Sequence, residues 1–306
     1  MKCRSDVVIV GAGVAGMTAA IYLKRAGIDC MVVEKEAPGG QILKAFSVEN
    51  YPGFVKVSGK DLSNTMFEQI KNLYVDFQKD EVVSIDAGEK LKKVVLKSGN
   101  EIECKVVILA VGRHPRKLGI PKISTFLGKG LSYCATCDGR FFKGKDVLVI
   151  GGSNSALEEA VYLSNICRNV TIVHRRDEFR AEKAWQEEVN KIPNIDIKYN
   201  CLLKELTKEE DVVNGAILSY TNGREEEVKI DGCFSSIGYE PTTDSFDGIV
   251  KLDDEGYIDT DTFGRTNISG IYAAGDTVKK DVYQLLTAMN DAVIVANDVA
   301  SYLKKN

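Results

Sequence analysis

Histidine and paired cysteines are scarce in this sequence, and their scarcity bears on metal binding. The 306 residues include only two histidines, His114 and His174, and one closely spaced cysteine pair, Cys134 and Cys137. A structural zinc site needs four Cys or His ligands, usually with a second cysteine pair, so we expect no metal. The six scattered cysteines are predicted to be inert core residues, because a disulfide framework belongs to small secreted domains. They are Cys3, Cys30, Cys104, Cys167, Cys201 and Cys233.

Long apolar runs and a strong excess of either charge are also missing. No run approaches the ~20 apolar residues of a membrane span, and a net charge of −4 offers no basic surface for nucleic acid or anionic lipid. Residues 1–4 and the apolar residues after them resemble the start of a signal peptide, but Asp6 and three glycines interrupt the apolar core. We therefore expect a cytoplasmic protein that binds neither nucleic acid nor membranes.

What the sequence does contain is an internal repeat. Residues 6–16 align with residues 146–156, residues 20–23 align with residues 160–163, and Glu34 falls opposite His174. Each copy reads as a strand, a Gly-rich turn, a helix and a second strand, which is the unit that binds one dinucleotide. Two such units imply two dinucleotides that exchange electrons. Cys134 and Cys137 precede the second unit, where they could receive those electrons.

The pattern along the chain predicts an α/β fold with two Rossmann-like, three-layer ββα dinucleotide-binding domains. A helix is expected at about residues 59–73, a β-meander at 81–104 and a second alternating region at 195–229. Residues 271–276 and a helix at about 282–303 have no second copy, so we expect them to return to the first domain. The first domain is then residues 1–113 with 243–306, and the CxxC-bearing domain, residues 114–242, is inserted in it.

The first Gly-rich turn has the pattern Gly11-x-Gly13-x-x-Gly16. Gly11 permits a tight turn, Gly13 lets the backbone approach a pyrophosphate, and Gly16 lets the helix pack on the strand. Glu34 lies at the predicted end of the second strand, where a carboxylate accepts hydrogen bonds from ribose hydroxyls. A Gly-rich turn without a ligand is the alternative, but the strand context and the acidic residue favour a dinucleotide.

The second turn begins at Gly151 and differs at two positions. Ser153 replaces the second glycine and Ala156 replaces the third. Alanine is accepted at the third position, whereas the Ser153 side chain would crowd a pyrophosphate. Asn154 and Ser155, at the predicted start of the helix, complete the candidate nucleotide-binding turn.

Basic residues replace the acid at the ribose position of the second unit. His174 stands where the first unit has Glu34, and it is followed by Arg175, Arg176 and Arg180. Guanidinium groups bind a 2′-phosphate through charge-assisted bonds, whereas a carboxylate would repel it. The pattern therefore predicts a preference for NADPH over NADH, with a solvated basic strand end as the alternative.

Cys134-x-x-Cys137 is the predicted redox centre. Two thiols at this spacing can form a small disulfide ring, as in thiol–disulfide exchange catalysts. Asp138 follows directly and could relay protons to a thiolate or a reduced flavin; the alternative is a plain turn residue before Gly139. Asp276, between a predicted strand and helix, could hold a ribityl hydroxyl, or it could simply cap the helix.

Several motifs together resemble those of the bacterial low-molecular-weight thioredoxin reductases, and the resemblance spans the whole chain. These motifs are GGQ (39–41), ENYPG (49–53), CATCD (134–138), HRR (174–176) with Arg180, and AAGD (273–276). The resemblance implies FAD in the first domain, NADPH in the second, a homodimer, and a large rotation of the NADPH domain.

The same resemblance implies thioredoxin as the protein partner. Cys134 would attack the thioredoxin disulfide, Cys137 would lie nearest the flavin, and Asp138 would be the acid. Further residues implied in the cofactor site are Gly40, Gln41, Asn50, Gly112 and Gln284.

The sequence departs from the family pattern at three places. Ser153 stands where the family usually has glycine, Tyr283 where it usually has arginine, and Met289-Asn290-Asp291 replaces a Gly-rich stretch. Alternative functions are therefore a ferredoxin-dependent flavin thioredoxin reductase, a reductase of another thioredoxin-like carrier, or a non-catalytic redox sensor. The ferredoxin-dependent relatives have lost the arginines that bind NADPH, and this chain keeps them, which favours NADPH.

Overall fold

The computed structural model describes residues 2–45 and 47–305, and these form two compact units. The first unit combines the chain up to His114 with the chain from Glu240 onward, and the second unit is Pro115–Tyr239. Because the second unit is one uninterrupted segment, it is an insertion in the first.

Strands and helices alternate at the start of the chain and give way to a run of strands. In order, the elements are β1 (Lys2–Val10), α1 (Val14–Arg25), β2 (Cys30–Glu34), α2 (Gly59–Asn72), β3 (Asp76–Lys79), β4 (Val82–Asp86), β5 (Lys92–Leu96), β6 (Glu101–Leu109) and β7 (Arg113–Pro115). The helix predicted at about 59–73 is confirmed as α2, whose N-terminus is capped by Ser58.

The middle of the chain repeats this order. Its elements are β8 (Leu131–Ser132), α3 (Ala135–Asp138), β9 (Asp146–Gly151), α4 (Asn154–Ser164), β10 (Asn169–Val173), α5 (Lys183–Lys191), β11 (Ile195–Lys198), β12 (Cys201–Glu209), β13 (Val212–Tyr220), β14 (Glu225–Lys229) and β15 (Gly232–Ser236). The chain then ends with β16 (Tyr239–Pro241), β17 (Ile271–Ala273) and α6 (Leu285–Lys305), and β16 pairs with β7.

The sheet of the first unit has the strand order β3-β2-β1-β6-β5-β4, and β17 also pairs with β6. Strands β3, β2, β1, β6 and β17 are parallel, whereas β4, β5 and β6 form the predicted antiparallel meander. β6 is one continuous strand: its first half pairs with β5 and its second half pairs with β17. It therefore belongs both to the meander and to the parallel part of the sheet.

Alternate residues of β1 face two different apolar layers, as the two-residue period of a strand requires. Val7 and Ile9 pack with buried residues of α1, α2 and α6. Val8 and Val10 pack with buried residues of the meander strands. The helices and the meander thus cover opposite faces of the parallel strands. The turn after β1 lies at the carboxyl ends of these strands, beyond both layers.

The second unit has a parallel sheet of order β11-β10-β9-β15-β8 and an antiparallel sheet of order β12-β13-β14. Val147 and Val149 of β9 pack with residues of α4 and α5, whereas Leu148 and Ile150 pack with residues of β12 and β13. Within the predicted alternating region at 195–229, β11 pairs with β10 and joins the parallel sheet, whereas β12, β13 and β14 form the antiparallel sheet. The predicted α/β fold class with two Rossmann-like units is confirmed.

The C-terminal helix begins later than its sequence pattern predicts. α6 starts at Leu285 because Thr287 Oγ accepts a hydrogen bond from the Gln284 N–H at 3.0 Å and donates to the Val282 carbonyl at 2.9 Å, which holds residues 282–284 in a turn. No helix in the described part of the chain has both the length and the apolar character needed to cross a bilayer.

Candidate functional site

The first Gly-rich turn, between β1 and α1, uses its glycines for different purposes. Gly11 has a φ of +104°, and a side chain there would collide with the carbonyl oxygen of Ala110. A side chain at Gly16 would collide with the carbonyl of Gly11, so Gly16 allows α1 to pack against the turn. A Cβ at Gly13, in contrast, would meet nothing within 4 Å. Gly13 is the N-cap of α1, so this open space adjoins unpaired N–H groups that suit a phosphate.

Glu34, at the end of β2, is held against the same turn. Its Oε2 accepts a hydrogen bond from the Ala12 N–H at 2.7 Å, and its Oε1 accepts one from the Glu36 N–H at 2.8 Å. A carboxylate can accept about four hydrogen bonds, so both oxygens keep capacity for ribose hydroxyls. The predicted acidic residue and the predicted phosphate site therefore lie side by side.

Three more predicted residues lie close to this turn or to its neighbours. A Cβ at Gly40, which has a φ of +58°, would lie 3.3 Å from the Cα of Gly13. Gln41 Nε2 donates to the backbone carbonyl of Arg113 at 2.9 Å. Gly112, which has a φ of +67°, directly precedes Arg113, and a Cβ there would meet nothing within 4 Å. The segment after β2, which contains Gly40 and Gln41, thus contacts both the first Gly-rich turn and the segment after β6.

Asn50 and Gln284 are distant in sequence but share a hydrogen bond. Asn50 Nδ2 donates to Gln284 Oε1 at 3.2 Å. Each side-chain amide has further donor and acceptor capacity, so the pair can also bind polar groups of a ligand. The structure therefore brings these two predicted residues together directly before α6.

Asp276, shortly after β17, carries a buried oxygen to which no described residue donates a hydrogen bond. Its Oδ1 is buried and has no hydrogen-bond partner among the described residues, and its Oδ2 lies 3.7 Å from Arg113 Nε. Burial raises the pKa of Asp276, while the charges of Arg113 and Lys280 act in the opposite direction. Buried acceptors are rarely left unpaired. The Oδ1 atom therefore fits a bound molecule that offers a hydroxyl or N–H donor.

The second Gly-rich turn, between β9 and α4, is built similarly to the first. A Cβ at Gly151 would lie 2.6 Å from both the Ser236 carbonyl oxygen and the Ala156 Cβ, which explains the glycine there. Ser153 is the N-cap of α4, but its hydroxyl makes no capping hydrogen bond. Asn154 Oδ1 accepts from the Glu182 N–H at 2.8 Å, and Ser155 is exposed. The hydroxyl at the helix N-terminus is thus available to an anion.

The four predicted basic residues of the second unit fall into two groups. His174 is buried, a Cβ at Gly152 would collide with its ring, and its Nε2 lies 3.0 Å from the Glu178 carbonyl oxygen. Burial lowers the pKa of His174, so the neutral ring supports the turn from inside. The side chains of Arg175, Arg176 and Arg180 are exposed and form no ion pair within the described residues.

The basic loop adjoins the second turn. The N–H of Arg180 donates to the carbonyl of Gly152 at 2.9 Å, so the backbone of this arginine is attached to the turn itself. Three exposed guanidinium groups on one loop offer donors for charge-assisted hydrogen bonds to a phosphate. The arrangement fits a nucleotide with an additional phosphate on its ribose.

The two predicted redox cysteines form a disulfide at the N-terminus of α3. Their Cα atoms are 5.3 Å apart. Cys134 is the N-cap, and its Sγ accepts a hydrogen bond from the Cys137 N–H at 3.2 Å. The sulfurs are therefore attached to a short helix that directly follows β8.

The predicted acid lies in the same hydrogen-bond network. The Ser132 hydroxyl donates to Asp138 Oδ2 at 2.6 Å and accepts from the Cys134 N–H at 3.1 Å. Burial raises the pKa of Asp138, although the Ser132 hydrogen bond opposes this rise. A carboxyl with a raised pKa can hold and release a proton next to the disulfide. Sequence reasoning missed Ser132, since a serine two residues before a CxxC has no special signal.

Glu159 of α4 is a second residue that sequence reasoning missed. Burial raises its pKa, and hydrogen bonds from the Ser236 hydroxyl and the Ala135 N–H oppose that rise. Ala135 is the first residue of α3, so Glu159 supports the helix that carries the disulfide. No motif marks this glutamate, because the contact depends on the packing of α3 against α4.

Known proteins match this chain over nearly its whole length. A family model described as pyridine nucleotide-disulphide oxidoreductase matches residues 5–292. The chain belongs to this family. Thioredoxin reductases from Bacillus subtilis (strain 168) and Peptoclostridium acidaminophilum are each 40% identical to it, and the alignments cover 98% of this chain and 95% and 98% of those proteins. A crystal structure of thioredoxin reductase from Streptococcus pyogenes MGAS5005 matches with a TM-score of 0.94 at 36% identity, covering 99% of both chains.

Membership of the pyridine nucleotide-disulphide oxidoreductase family makes this protein an oxidoreductase. The family description joins a nucleotide and a disulfide, and Pro115–Tyr239 contains a disulfide together with a second Gly-rich turn. The first turn fits a further dinucleotide in the first unit, as does Asp276 Oδ1, to which no described residue donates a hydrogen bond.

Proposed function

We propose that this chain is a thioredoxin-disulfide reductase that passes electrons from NADPH through FAD and the Cys134–Cys137 disulfide to thioredoxin. The observation that carries the proposal is the disulfide on α3, which shares hydrogen bonds with Asp138 through Ser132. Similarity over the whole chain to proteins named thioredoxin reductase supports thioredoxin as the acceptor.

The first unit would hold FAD. Gly13 would allow the pyrophosphate to approach α1, Glu34 would accept hydrogen bonds from the ribose, and Asp276 Oδ1 would accept one from a ribityl hydroxyl. When bound, FAD supplies the two-electron chemistry that links a nicotinamide to a disulfide. The other residues proposed in this site are Gly11, Gly16, Gly40, Gln41, Asn50, Gly112 and Gln284.

The second unit would hold NADPH. Arg175, Arg176 and Arg180 would bind the 2′-phosphate, because their guanidinium groups are exposed and form no ion pair with described residues. The pyrophosphate would lie at the N-terminus of α4. The remaining proposed residues are Gly151, Ser153, Asn154, Ser155, Ala156 and His174, with His174 supporting the turn from inside.

The chain's own sulfurs would carry out the exchange. Two electrons and two protons convert the disulfide into the thiols of Cys134 and Cys137. The Cys134 thiolate then attacks one sulfur of the thioredoxin disulfide, forming a mixed disulfide and releasing one thioredoxin thiolate. Cys137 attacks the Cys134 sulfur, re-forms the original disulfide and releases the second thioredoxin thiolate. Asp138 would move the protons, since its raised pKa lets it hold one beside these sulfurs.

Two other assignments share this fold. Ser153 is the observation that favours ferredoxin as the electron donor, because its side chain would crowd a pyrophosphate at the second turn. The three arginines argue for NADPH. A different thioredoxin-like carrier could replace thioredoxin without any change to the cofactor sites. By resemblance, we also propose a homodimer; the cytoplasmic location expected from the sequence remains a proposal.

The absorption spectrum of the purified protein tests the electron relay. We expect a yellow protein whose flavin absorbance bleaches when NADPH is added without oxygen. Bleaching by reduced ferredoxin but not by NADPH would support the ferredoxin alternative, and a colourless protein that cannot be reconstituted with FAD would exclude the relay.

Cys134→Ser separates the two half-reactions. The variant should still bleach with NADPH, because the flavin receives electrons before the disulfide does. It should lose turnover with thioredoxin, because the attacking thiolate is gone. Retained thioredoxin turnover would show that Cys134 does not have this role.

A further inference from the structure

The surroundings of Asp276 contain a cation that no sequence motif marks. The Arg113 guanidinium carbon lies 3.4 Å from the centre of the Tyr283 ring, so the charged group is stacked against the aromatic face. The same guanidinium places Nε 3.7 Å from Asp276 Oδ2. Only 16% of the Arg113 side chain is exposed, which weakens screening of its charge by water.

Tyr283 is itself held in place. Its hydroxyl accepts a hydrogen bond from the Lys280 N–H at 3.3 Å, and its ring centre lies 6.0 Å from that of Tyr257. Burial raises the pKa of Tyr283, and a hydrogen bond that its hydroxyl donates to Tyr257 adds to the rise. The ring therefore remains a neutral phenol at physiological pH and presents a fixed surface to Arg113.

Three charged groups act on the Asp276 carboxyl. Burial has the largest effect and raises the pKa of Asp276; among the charged groups, Arg113 and Lys280 lower this pKa and Asp291 raises it. Lys280 is already engaged, because its Nζ forms an ion pair with Asp291 Oδ2, which also accepts from the Gly275 N–H at 3.2 Å. Of the two cations, Arg113 has the larger effect on the pKa of Asp276.

We propose that Arg113, held by stacking on Tyr283, is a positioning residue that keeps Asp276 ionised as a hydrogen-bond acceptor for FAD. The inference deepens the proposed function, since it assumes that FAD is the molecule bound beside Asp276. Although 27% of the Asp276 side chain is exposed, Oδ1 itself is buried, and only an ionised carboxyl offers that atom at full acceptor strength. Without Arg113, burial would favour the protonated acid, which is the weaker acceptor.

Titration of the FAD-free protein with FAD at several pH values tests this proposal. Arg113→Met should weaken FAD binding by about tenfold near neutral pH, as expected for the loss of a hydrogen bond to a charged group. The loss should grow as the pH falls, because the unpaired Asp276 takes up a proton. The affinity of the unaltered protein should change little over the same range.

Variants of the stacking partner test the coupling between the two residues. Tyr283→Leu should weaken FAD binding, as Arg113→Met does. Tyr283→Phe keeps the ring and should bind FAD as tightly as the unaltered protein. The double variant Arg113→Met/Tyr283→Leu should bind FAD no more weakly than Arg113→Met alone, because both substitutions remove the same interaction.

A matched control uses another stacked arginine of the same unit. Arg265 lies 4.8 Å from the Phe263 ring, and its Nε donates to Asp298 Oδ2 at 2.8 Å. Arg265→Met should leave FAD affinity unchanged. If Arg113→Met binds FAD as tightly as the unaltered protein across the pH range, the inference is overturned and the proposed function is intact. If the unaltered protein does not bind FAD, both are overturned.

Discussion

Asp138 combines burial with a single hydroxyl donor, and this environment has a consequence for stability. Burial raises its folded-state pKa, so the folded protein disfavours the carboxylate. A raised carboxyl pKa lowers stability once the pH exceeds the unfolded-state value, and this cost disappears as the pH falls below it. The folded protein thus keeps Asp138 for proton transfer at the expense of stability near neutral pH.

Asp138→Asn should therefore stabilise the protein near neutral pH. The amide oxygen can still accept the Ser132 hydrogen bond but carries no charge. The stability difference between the two proteins should shrink as the pH is lowered through the raised pKa of Asp138. Urea denaturation of both proteins at several pH values measures the difference, and a difference that is independent of pH would contradict the assignment. Thioredoxin reduction should slow in the same variant, because the proton carrier is lost.

At the residue scale, sequence reasoning identified side chains that belong to spaced motifs and missed those that act through space. Cys134, Cys137 and Asp138 are consecutive or nearly so, and their proximity follows from chain geometry alone. Arg113 and Glu159 approach their partners only after distant segments pack, so no local pattern marks them. His174 was placed by alignment at the ribose position, but burial directs its ring into the protein.

At the scale of elements, the loop after β10 carries the charges that should select NADPH. Arg175 and Arg176 are exposed there, next to the turn before α4. Replacing both with alanine should raise the KM for NADPH on the order of a hundredfold, because two charge-assisted interactions with the 2′-phosphate are lost. The KM for NADH should change far less. Steady-state kinetics with both nucleotides measure the ratio.

Arg224→Ala is the control for that experiment. Arg224 is an exposed arginine of the same unit that pairs with Glu226 at 2.9 Å, near the start of β14. Its replacement should leave both KM values unchanged. Equal increases for NADPH and NADH in the double variant would mean that Arg175 and Arg176 do not recognise the 2′-phosphate.

Elements were predicted best where periodicity was strong. The helix α2 starts at the predicted residue because Ser58 caps it and an apolar face follows. β11 is too short for its pattern to reveal which strand it pairs with; in the structure it pairs with β10 in the parallel sheet. The start of α6 depends on hydrogen bonds of Thr287, a side chain within the first turn of the helix, which a count of apolar residues does not register.

At the scale of the whole molecule, each unit has apolar cores of its own. β1 separates two buried clusters in the first unit, and β9 separates two others in the second. If FAD binds the first unit and NADP⁺ the second, each ligand should stabilise the unit that holds it, by about 2.7 kcal/mol at a free concentration 100 times its Kd.

Calorimetry of the FAD-free protein should then show two unfolding transitions. FAD should raise the temperature of one transition, and NADP⁺ should raise that of the other. A single transition that both ligands shift equally would mean that the two units unfold together, whatever their separate cores suggest.

The sequence by itself determined the fold class, the two Gly-rich turns, the disulfide pair and the arginine loop, because each depends on residue types at short, regular spacing. Only the tertiary structure decided that Asp276 presents a buried oxygen, with no hydrogen-bond partner among the described residues, beside Arg113 and Tyr283. Arg113 lies in β7, Asp276 in the segment after β17 and Tyr283 in the turn before α6. Their contacts and their burial arise only when these segments meet, so the spacing of residues along the chain does not reveal this arrangement.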